Sequence, residues 1–462
     1  MKFLLIDGQG FFRFMASKKV SNVGASISPP LGLLYIGRAL EDEGHKVEVI
    51  QFFNERSPEE KLKKSLKSSD VVGIGISSKF QKDAFDIAKK VRELDSSVKI
   101  IAGGPHCTFH PEKTLIDIPV VDMSLEGEGD YAIKDVTKAL EGTKKLSDVP
   151  GLYYREKNSI KRGKPHIIVK DLNSIPFPAR HLVDKYEYGK VNNVYLFKPK
   201  LTSMITSRGC PYSCRFCSRH ALTYKTYRQR SVENVVEEIV ELDNKYKSVL
   251  VVDDNFLADK KRAHRIMDDL IEIGTNIDLL VMGARVDSAE RELYKKMKKA
   301  GVKYIEFGIE SGNQDVLDFY NKKTTLDQIR TAVKLSRKMN FVTTGSFIIG
   351  SHIETRDHIE QTIKFASSLP LDIVLFYPLI YTYGSDLWNE AVENGIIKNT
   401  ELLSVWADSD SGLGNFSKEE LEKMCNKAVK NFYLRPSYVA RQFLRSILRK
   451  NFSVLRIGIN YL

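Results

Sequence analysis

Leu201-Thr-Ser-Met-Ile-Thr-Ser-Arg-Gly-Cys-Pro-Tyr-Ser-Cys-Arg-Phe-Cys-Ser218 reads as an apolar strand that runs straight into three cysteines at C-x3-C-x2-C spacing. Three thiolates, from Cys210, Cys214 and Cys217, can hold three corners of an iron–sulfur cubane. A closed zinc site, or an electron-transfer [4Fe–4S] cluster, normally takes four protein ligands. The missing fourth ligand points to an iron left open for a substrate or cofactor. A zinc site completed by His220 is the competing reading. The other cysteines, Cys107 and Cys425, lie about a hundred residues or more from the trio. The odd total of five and the lack of a secretory signal argue against disulfides.

Around that stretch the chain resumes a β-α alternation. Strands are predicted near Thr202–Thr206, Ser248–Val252, Leu279–Gly283, Lys303–Gly308, Val342–Ile349 and Asp372–Pro378, with long amphipathic helices such as Val232–Tyr246 and Leu326–Met339 between them. Such units predict an open, partial (β/α)6 TIM-type barrel with its chemistry at the C-terminal strand ends. The later strand ends read Val252-Asp-Asp-Asn-Phe256, Gly283-Ala-Arg285, Phe307-Gly-Ile-Glu-Ser-Gly312, Gly345-Ser-Phe-Ile-Ile-Gly350 with Glu354 beyond, and Phe376-Tyr-Pro-Leu-Ile-Tyr-Thr-Tyr-Gly-Ser385. At the first of these, helix capping by Asp254 or Asn255 is the plain structural reading.

The N-terminal third alternates in the same way. Strands are expected at Phe3–Ile6, Lys46–Ile50, Val71–Ile76, Lys99–Ala102 and Val120–Leu125, and helices at Leu31–Glu43, Glu59–Leu66, Asp83–Leu94 and Tyr131–Leu140. This is the pattern of a doubly wound parallel sheet that binds ligands beyond its strand ends. Glycines collect there, in Gly73-Ile-Gly-Ile-Ser-Ser78, Gly103-Gly-Pro-His106 and Glu126-Gly-Glu-Gly129. They allow a flat or phosphate-bearing ligand to approach the backbone. His106 and His110 read as polar loop residues rather than metal ligands. Residues 151–163 read as a hairpin turning at Lys157-Asn158, and the proline-bearing stretch 164–200 as a linker.

At 462 residues the chain has room for two or three domains, and 42% apolar with 28% charged content suits a soluble globular protein. No apolar run approaches a membrane span. Met1-Lys-Phe-Leu-Leu-Ile6, ended by Asp7-Gly8, reads as a buried strand and not a signal peptide. A cytoplasmic, reducing location is the expectation. Of the net charge of +12, residues 435–462 carry Arg435, Arg441, Arg445, Arg449, Lys450 and Arg456 with no acid. Charge alone suggests nucleic acid, but no binding module accompanies it, and no nucleic-acid partner is expected. Val439, Phe443, Leu444, Ile447 and Leu448 form one helical stripe and Arg441, Arg445 and Arg449 another. The apolar stripe is expected to cover the protein's own core, with peripheral membrane contact through 438–450 as the alternative.

The cysteine spacing, with Phe216 before the last cysteine, resembles the radical S-adenosylmethionine (radical SAM) superfamily, and so do the strand ends at Gly308-Ile-Glu-Ser311 and Gly345–Gly350. The N-terminal strand ends, with Pro29-Pro-Leu-Gly-Leu-Leu-Tyr-Ile-Gly-Arg-Ala-Leu40, resemble the cobalamin (B12)-binding domain fused to such barrels. The resemblance implies a Rossmann-like cobalamin-binding domain over 1–142, a hairpin and linker over 143–195, a radical SAM barrel over 196–390 and a helical basic segment over 391–462. It implies a [4Fe–4S] cluster on Cys210, Cys214 and Cys217. It further implies S-adenosylmethionine contacts at Phe216, Asp253, Arg285, Glu310, Ser311 and Gly350, and cobalamin contacts at Gln9, Ser77, Ser78, Gly103, Gly104, Glu126 and Gly127. No catalytic residue beyond the cluster is implied.

Departures from the family pattern are local. Gln9 stands where a cobalt-ligating histidine occurs in many cobalamin proteins, Ser351-His352 replaces a usual Pro-Gly pair, and Ser385 replaces threonine. The implied chemistry is reductive cleavage of S-adenosylmethionine, hydrogen abstraction and methyl transfer to an unactivated carbon of a small-molecule or lipid-like substrate. An external one-electron donor such as flavodoxin or ferredoxin would drive it. A ring-forming or rearranging enzyme resembling the anaerobic tetrapyrrole cyclases is the alternative within the superfamily, and a non-catalytic corrinoid or metal-binding module the alternative outside it. Methylthiotransferases carry more cluster cysteines than this chain has.

Overall fold

Short β-branched runs separated by amphipathic helices build the first unit, Met1–Tyr188, and the same alternation with longer strands builds the second, Gly189–Leu462. The structure is a computed structural model that describes residues 1–8, 28–55, 57–77, 80–191, 194–399 and 402–460. In the first unit β1 (Lys2–Asp7), β2 (Lys46–Gln51), β3 (Val71–Gly75), β4 (Lys99–Gly103) and β5 (Met123–Leu125) pair in parallel in the order β2-β1-β3-β4-β5. One face, with Leu4, Ile6, Val72 and Ile74, packs against Leu62 and Leu66 of α2 (Pro58–Leu66) and Ile87 and Val91 of α3 (Gln81–Leu94), in sequence after α1 (Leu31–Asp42). The strand order reverses between β1 and β3, so the crevice of a doubly wound sheet opens at Gly8 and at Ile76-Ser77.

The hairpin belongs to this sheet. β6 (Leu152–Glu156) and β7 (Ser159–Arg162) add antiparallel to β5 through the turn at Lys157-Asn158, where Lys157 takes φ 54°. Downstream, Tyr188 closes the unit by donating its hydroxyl to Gln51 Oε1.

In the second unit six strands run parallel in sequence order: β8 (Leu201–Met204), β9 (Ser248–Val251), β10 (Asp278–Ala284), β11 (Val302–Glu310), β12 (Val342–Ile349) and β13 (Ile373–Pro378). Among the described residues no pairing joins β13 back to β8, so the sheet is open. The two-residue period sets its faces. Val249, Val251, Ile305, Phe307, Phe347 and Ile349 pack into the core under the helices, and Leu250, Tyr304, Glu306, Thr344 and Ser346 alternate to the opposite face. Helix starts follow side-chain caps: Ser231 accepts from Asn234 N, and Thr325 forms a capping box with Gln328.

The C-terminal helices reverse one expectation. In the helix Pro436–Arg449 the apolar stripe faces outward, with Phe443 52%, Leu444 62% and Leu448 78% exposed. The arginines face inward instead. Arg445 Nη1 and Arg449 Nη2 each lie 3.2 Å from the carboxylate of Asp372, which is fully buried. That carboxylate also accepts from Thr343 N at 2.9 Å and Gln442 Nε2 at 2.8 Å, while Tyr438 Oη donates to the Asp372 carbonyl at 2.8 Å. A buried carboxylate draws a basic stripe more strongly than the core draws an apolar one, because leaving it unpaired costs several kcal/mol. Asp372→Ala should therefore destabilise the chain by about 3–5 kcal/mol in urea denaturation. An unchanged midpoint would mean that backbone carbonyls alone hold the arginines.

Candidate active site

The loop that carries the cysteines leaves β8 from a fixed point. The buried carboxylate of Asp253, just past β9, accepts from Thr206 N, Thr206 Oγ1 and Ser207 Oγ, each at 2.6 Å. Arg262 donates to Thr206 O at 2.9 Å from the other side. Ser207-Arg208 then pairs antiparallel with Arg228-Gln229. Gly209 follows at φ 85°, and a Cβ there would stand 2.0 Å from Thr226 O, so only glycine precedes Cys210.

A second segment, Phe319–Asn321, clamps the far side of the loop. Arg215 N donates to Tyr320 O at 3.0 Å, Arg215 Nη1 to Phe319 O at 3.2 Å, and Asn321 Nδ2 to Ser213 O at 2.8 Å. Phe216 meets Tyr320 edge to face, ring centroids 5.2 Å apart. Between the clamps, Cys217 N donates to Cys214 O at 3.0 Å in a tight turn.

Two cations stand beside Cys214. The Arg285 guanidinium covers the Tyr212 ring at 3.7 Å and reaches Cys214 Sγ at 3.6 Å, held by Asp287 at 2.9 Å and Lys322 O at 2.5 Å. Lys322 Nζ pairs with Glu310 Oε1 at 2.7 Å, both side chains buried. Burial opposes the ammonium, and the charges of Glu310 and Cys214 more than offset it, leaving the Lys322 pKa above its ordinary value. The pair lies across Gly308, where a Cβ would sit 2.5 Å from Glu310 Oε1 and 3.1 Å from Lys322 Nζ. Glu310 takes φ 68°, a left-handed conformation that is strained for glutamate and turns its carboxylate back over the strand end.

Burial pushes the Cys217 thiol up to about 11 and raises Cys210 as well. Among the described residues no three His, Cys, Asp or Glu side chains converge as a single metal ion requires. Cys214 acts electrostatically on both Cys210 and Cys217. His220 does not serve the trio, because its Nε2 is bonded to Tyr212 O.

Other strand-end residues fall into two groups. Asp253 and Ser311 are occupied by the fold: Asp253 as described, and Ser311 by Thr362 Oγ1 and Asn313 N, each at 3.1 Å. Gly350 N and Ser351 N each donate to Glu354 Oε2 at 2.8 Å, so a buried carboxylate closes the turn that Ser351-His352 left open in the sequence. Asn255 is a residue that sequence reasoning passed over as a helix cap. Its amide is buried, and neither its oxygen nor its nitrogen is bonded. Lys322 was missed too, being twelve residues beyond its partner Glu310 with no motif to mark it.

In the first unit Gln9 and Ser78 lie outside the described residues. Ser77, at the end of β3, accepts from Phe80 N at 3.0 Å. A Cβ on Gly103 would meet open space, which leaves that backbone accessible to a flat ligand, whereas one on Gly104 would meet Ile76 O at 2.9 Å. Glu126 is engaged by His166 Nδ1 at 2.9 Å and Arg162 Nη2 at 3.3 Å, and the His166 ring also covers Gly127. His106 differs from the sequence reading. It is buried against Phe85 and His110, with neither ring nitrogen bonded.

A doubly wound sheet ahead of an open parallel barrel with three clamped cysteines at its first strand end defines a class, the B12-type radical SAM protein. The pattern of the radical SAM superfamily matches residues 204–366, and that of the B12 binding domain residues 18–137. The uncharacterized methyltransferase PH0819 of Pyrococcus horikoshii is 32% identical over 93% of this chain and 95% of its own length. The anaerobic magnesium-protoporphyrin IX monomethyl ester cyclase of Cereibacter sphaeroides is 27% identical over 74% of this chain and 57% of its own. Among solved structures, the radical S-adenosylmethionine methyltransferase TsrM of Kitasatospora setae, with cobalamin and a [4Fe–4S] cluster bound, shares the fold at a TM-score of 0.69 and 17% identity, over 85% of this chain and 78% of that one. The chain belongs to the radical SAM superfamily, in the branch of methyltransferase-type enzymes with a B12 binding domain ahead of the barrel.

Burial lowers the His106 pKa to about 4, and the neighbouring His110 adds to the shift. Below the unfolded value of 6.5 the unfolded chain takes up a proton that folded His106 refuses. Stability should therefore fall between about pH 6.5 and 4, by up to roughly 3 kcal/mol from this group. Urea denaturation across that range should show a flatter profile for His106→Leu. An identical profile would assign the acid sensitivity elsewhere.

Proposed function

We propose that this chain is a cobalamin-dependent radical SAM enzyme that transfers a methyl group to an unactivated carbon. The observation that carries the reading is the clamped loop with Cys210, Cys214 and Cys217 and no fourth thiol beside it. The remaining cysteines, Cys107 and Cys425, are buried in hydrophobic cores. In this reading the three thiolates hold a [4Fe–4S] cluster. Phe216, Arg285, Glu310 and Gly350 surround S-adenosylmethionine, and the β1/β3 crevice with Gly103 receives cobalamin. Bound there, the cluster and S-adenosylmethionine supply one-electron cleavage to a hydrogen-abstracting carbon radical, and cobalamin supplies the methyl group.

The residues of the chain bind and orient. Asp253 and the Phe319–Asn321 segment fix the loop, Arg285 and Lys322 offset the negative charge of the thiolates, and the Glu310 carboxylate is held ready to accept from hydroxyl or ammonium groups. Electrons come from outside, from a donor of the flavodoxin or ferredoxin kind. The substrate class is a small or lipid-like molecule. Likeness to the magnesium-protoporphyrin cyclase favours a second reading, ring formation without methyl transfer.

Reconstituted anaerobically with a reductant, the protein should form 5′-deoxyadenosine in a substrate-dependent way, and the product should be heavier by one CH2, a methyl group in place of a hydrogen. Both should disappear in Cys214→Ala and persist in Cys425→Ala. Deoxyadenosine with a product that lacks the methyl increment would favour the ring-forming or rearranging enzyme. Neither product from a correctly folded, corrinoid-loaded chain would leave a non-catalytic module.

A further inference from the structure

The helix Pro436–Arg449 is mounted with its polar face inward. Tyr438, Gln442 and Arg445 on that face are buried at Asp372 and at Phe341 O, which accepts from Arg445 Nη2 at 3.0 Å and Arg449 Nη2 at 2.6 Å. The apolar face is therefore displayed by a rigid anchor. Val439, Phe443, Leu444, Ile447 and Leu448 are exposed along one side. The face continues past the helix, because the exposed Phe452 ring lies 6.3 Å from that of Phe443. Scattered surface leucines need no explanation, but a contiguous patch of this kind marks an interaction site.

Charge decides what the patch meets. No acidic residue follows Glu422, and Lys430, Lys450 and Arg456 are exposed cations in the same segment. A second copy docked face to face by a two-fold axis would bring this cation-bearing, acid-free segment against itself. An anionic bilayer offers the complement to both features, acyl chains for the aromatic and aliphatic side chains and headgroup charge for the cations. Fourteen residues are too few to span a bilayer, and among the described residues no helix is long and apolar enough to do so. Such a helix lies in the interface plane.

We propose that Pro436–Arg449 and Phe452 form a docking face for an anionic lipid surface, which brings the enzyme to the membrane without spanning it. The sequence alone offered peripheral membrane contact through 438–450 as the alternative to covering the core. The structure assigns Arg445 and Arg449 to Asp372 and the exposed apolar stripe to the lipid.

The test is flotation of the full-length protein with phosphatidylglycerol-containing vesicles and with phosphatidylcholine vesicles, alongside light scattering without lipid. Wild type should float with the anionic vesicles, less so at high salt, and much less with phosphatidylcholine alone. Leu444→Ser with Leu448→Ser should reduce the bound fraction about tenfold or more, with an unchanged urea midpoint, since neither side chain is in the core. Failure to float, equal flotation on both lipids, or flotation unaffected by the double variant would overturn the proposal. A dimer in light scattering that the double variant dissolves, without vesicle binding, would assign the face to a second copy instead.

Discussion

One buried carboxylate governs where the chemistry-bearing loop begins. Asp253 binds the backbone and hydroxyl of Thr206 and the hydroxyl of Ser207 at 2.6 Å, so the end of β8 is tied to the strand beside it before the first cysteine is reached. Three cysteines within eight residues would otherwise form a loose surface loop with nothing to order it. From that anchor Gly209 makes a turn that no other residue fits, and the Phe319–Asn321 segment closes the far side. Precise placement of this kind costs conformational entropy in advance of binding, which lets a cofactor bind without having to order its own ligands.

The second constraint is the buried Lys322–Glu310 pair lying across Gly308. A buried ion pair is a weak source of stability, because desolvating both charges opposes their attraction. Its persistence here, with Glu310 held in a strained conformation, agrees with a functional placement. The ammonium feels Cys214 as well as Glu310, so one cation links the fourth strand end to the cysteine loop. Arg285 does the same from the third strand end. Three strand ends are thereby drawn to one charged centre by side chains alone.

Much of this was legible in the sequence, and the failures have physical causes. Strand and helix positions followed from period and from glycine punctuation, and β12 falls on the expected Val342–Ile349. The cysteine motif is local, so spacing alone revealed it. Lys322 and the true occupation of Asp253 and Ser311 depend on contacts between distant segments, which no local pattern encodes. Glu354 replaced a missing Pro-Gly turn with a carboxylate, a substitution of mechanism rather than of motif. The C-terminal helix was read with the wrong face inward because periodicity gives two stripes and not their direction. That direction was set by Asp372, which sits some seventy residues earlier.

In the proposed function the three thiolates would leave one cluster iron open to S-adenosylmethionine. Electron paramagnetic resonance of the anaerobically reconstituted and reduced protein tests it most directly. The expected result is about four irons per chain, with a reduced-cluster spectrum that shifts when S-adenosylmethionine is added. A cluster spectrum indifferent to S-adenosylmethionine, or a single tightly bound zinc in place of iron, would contradict it.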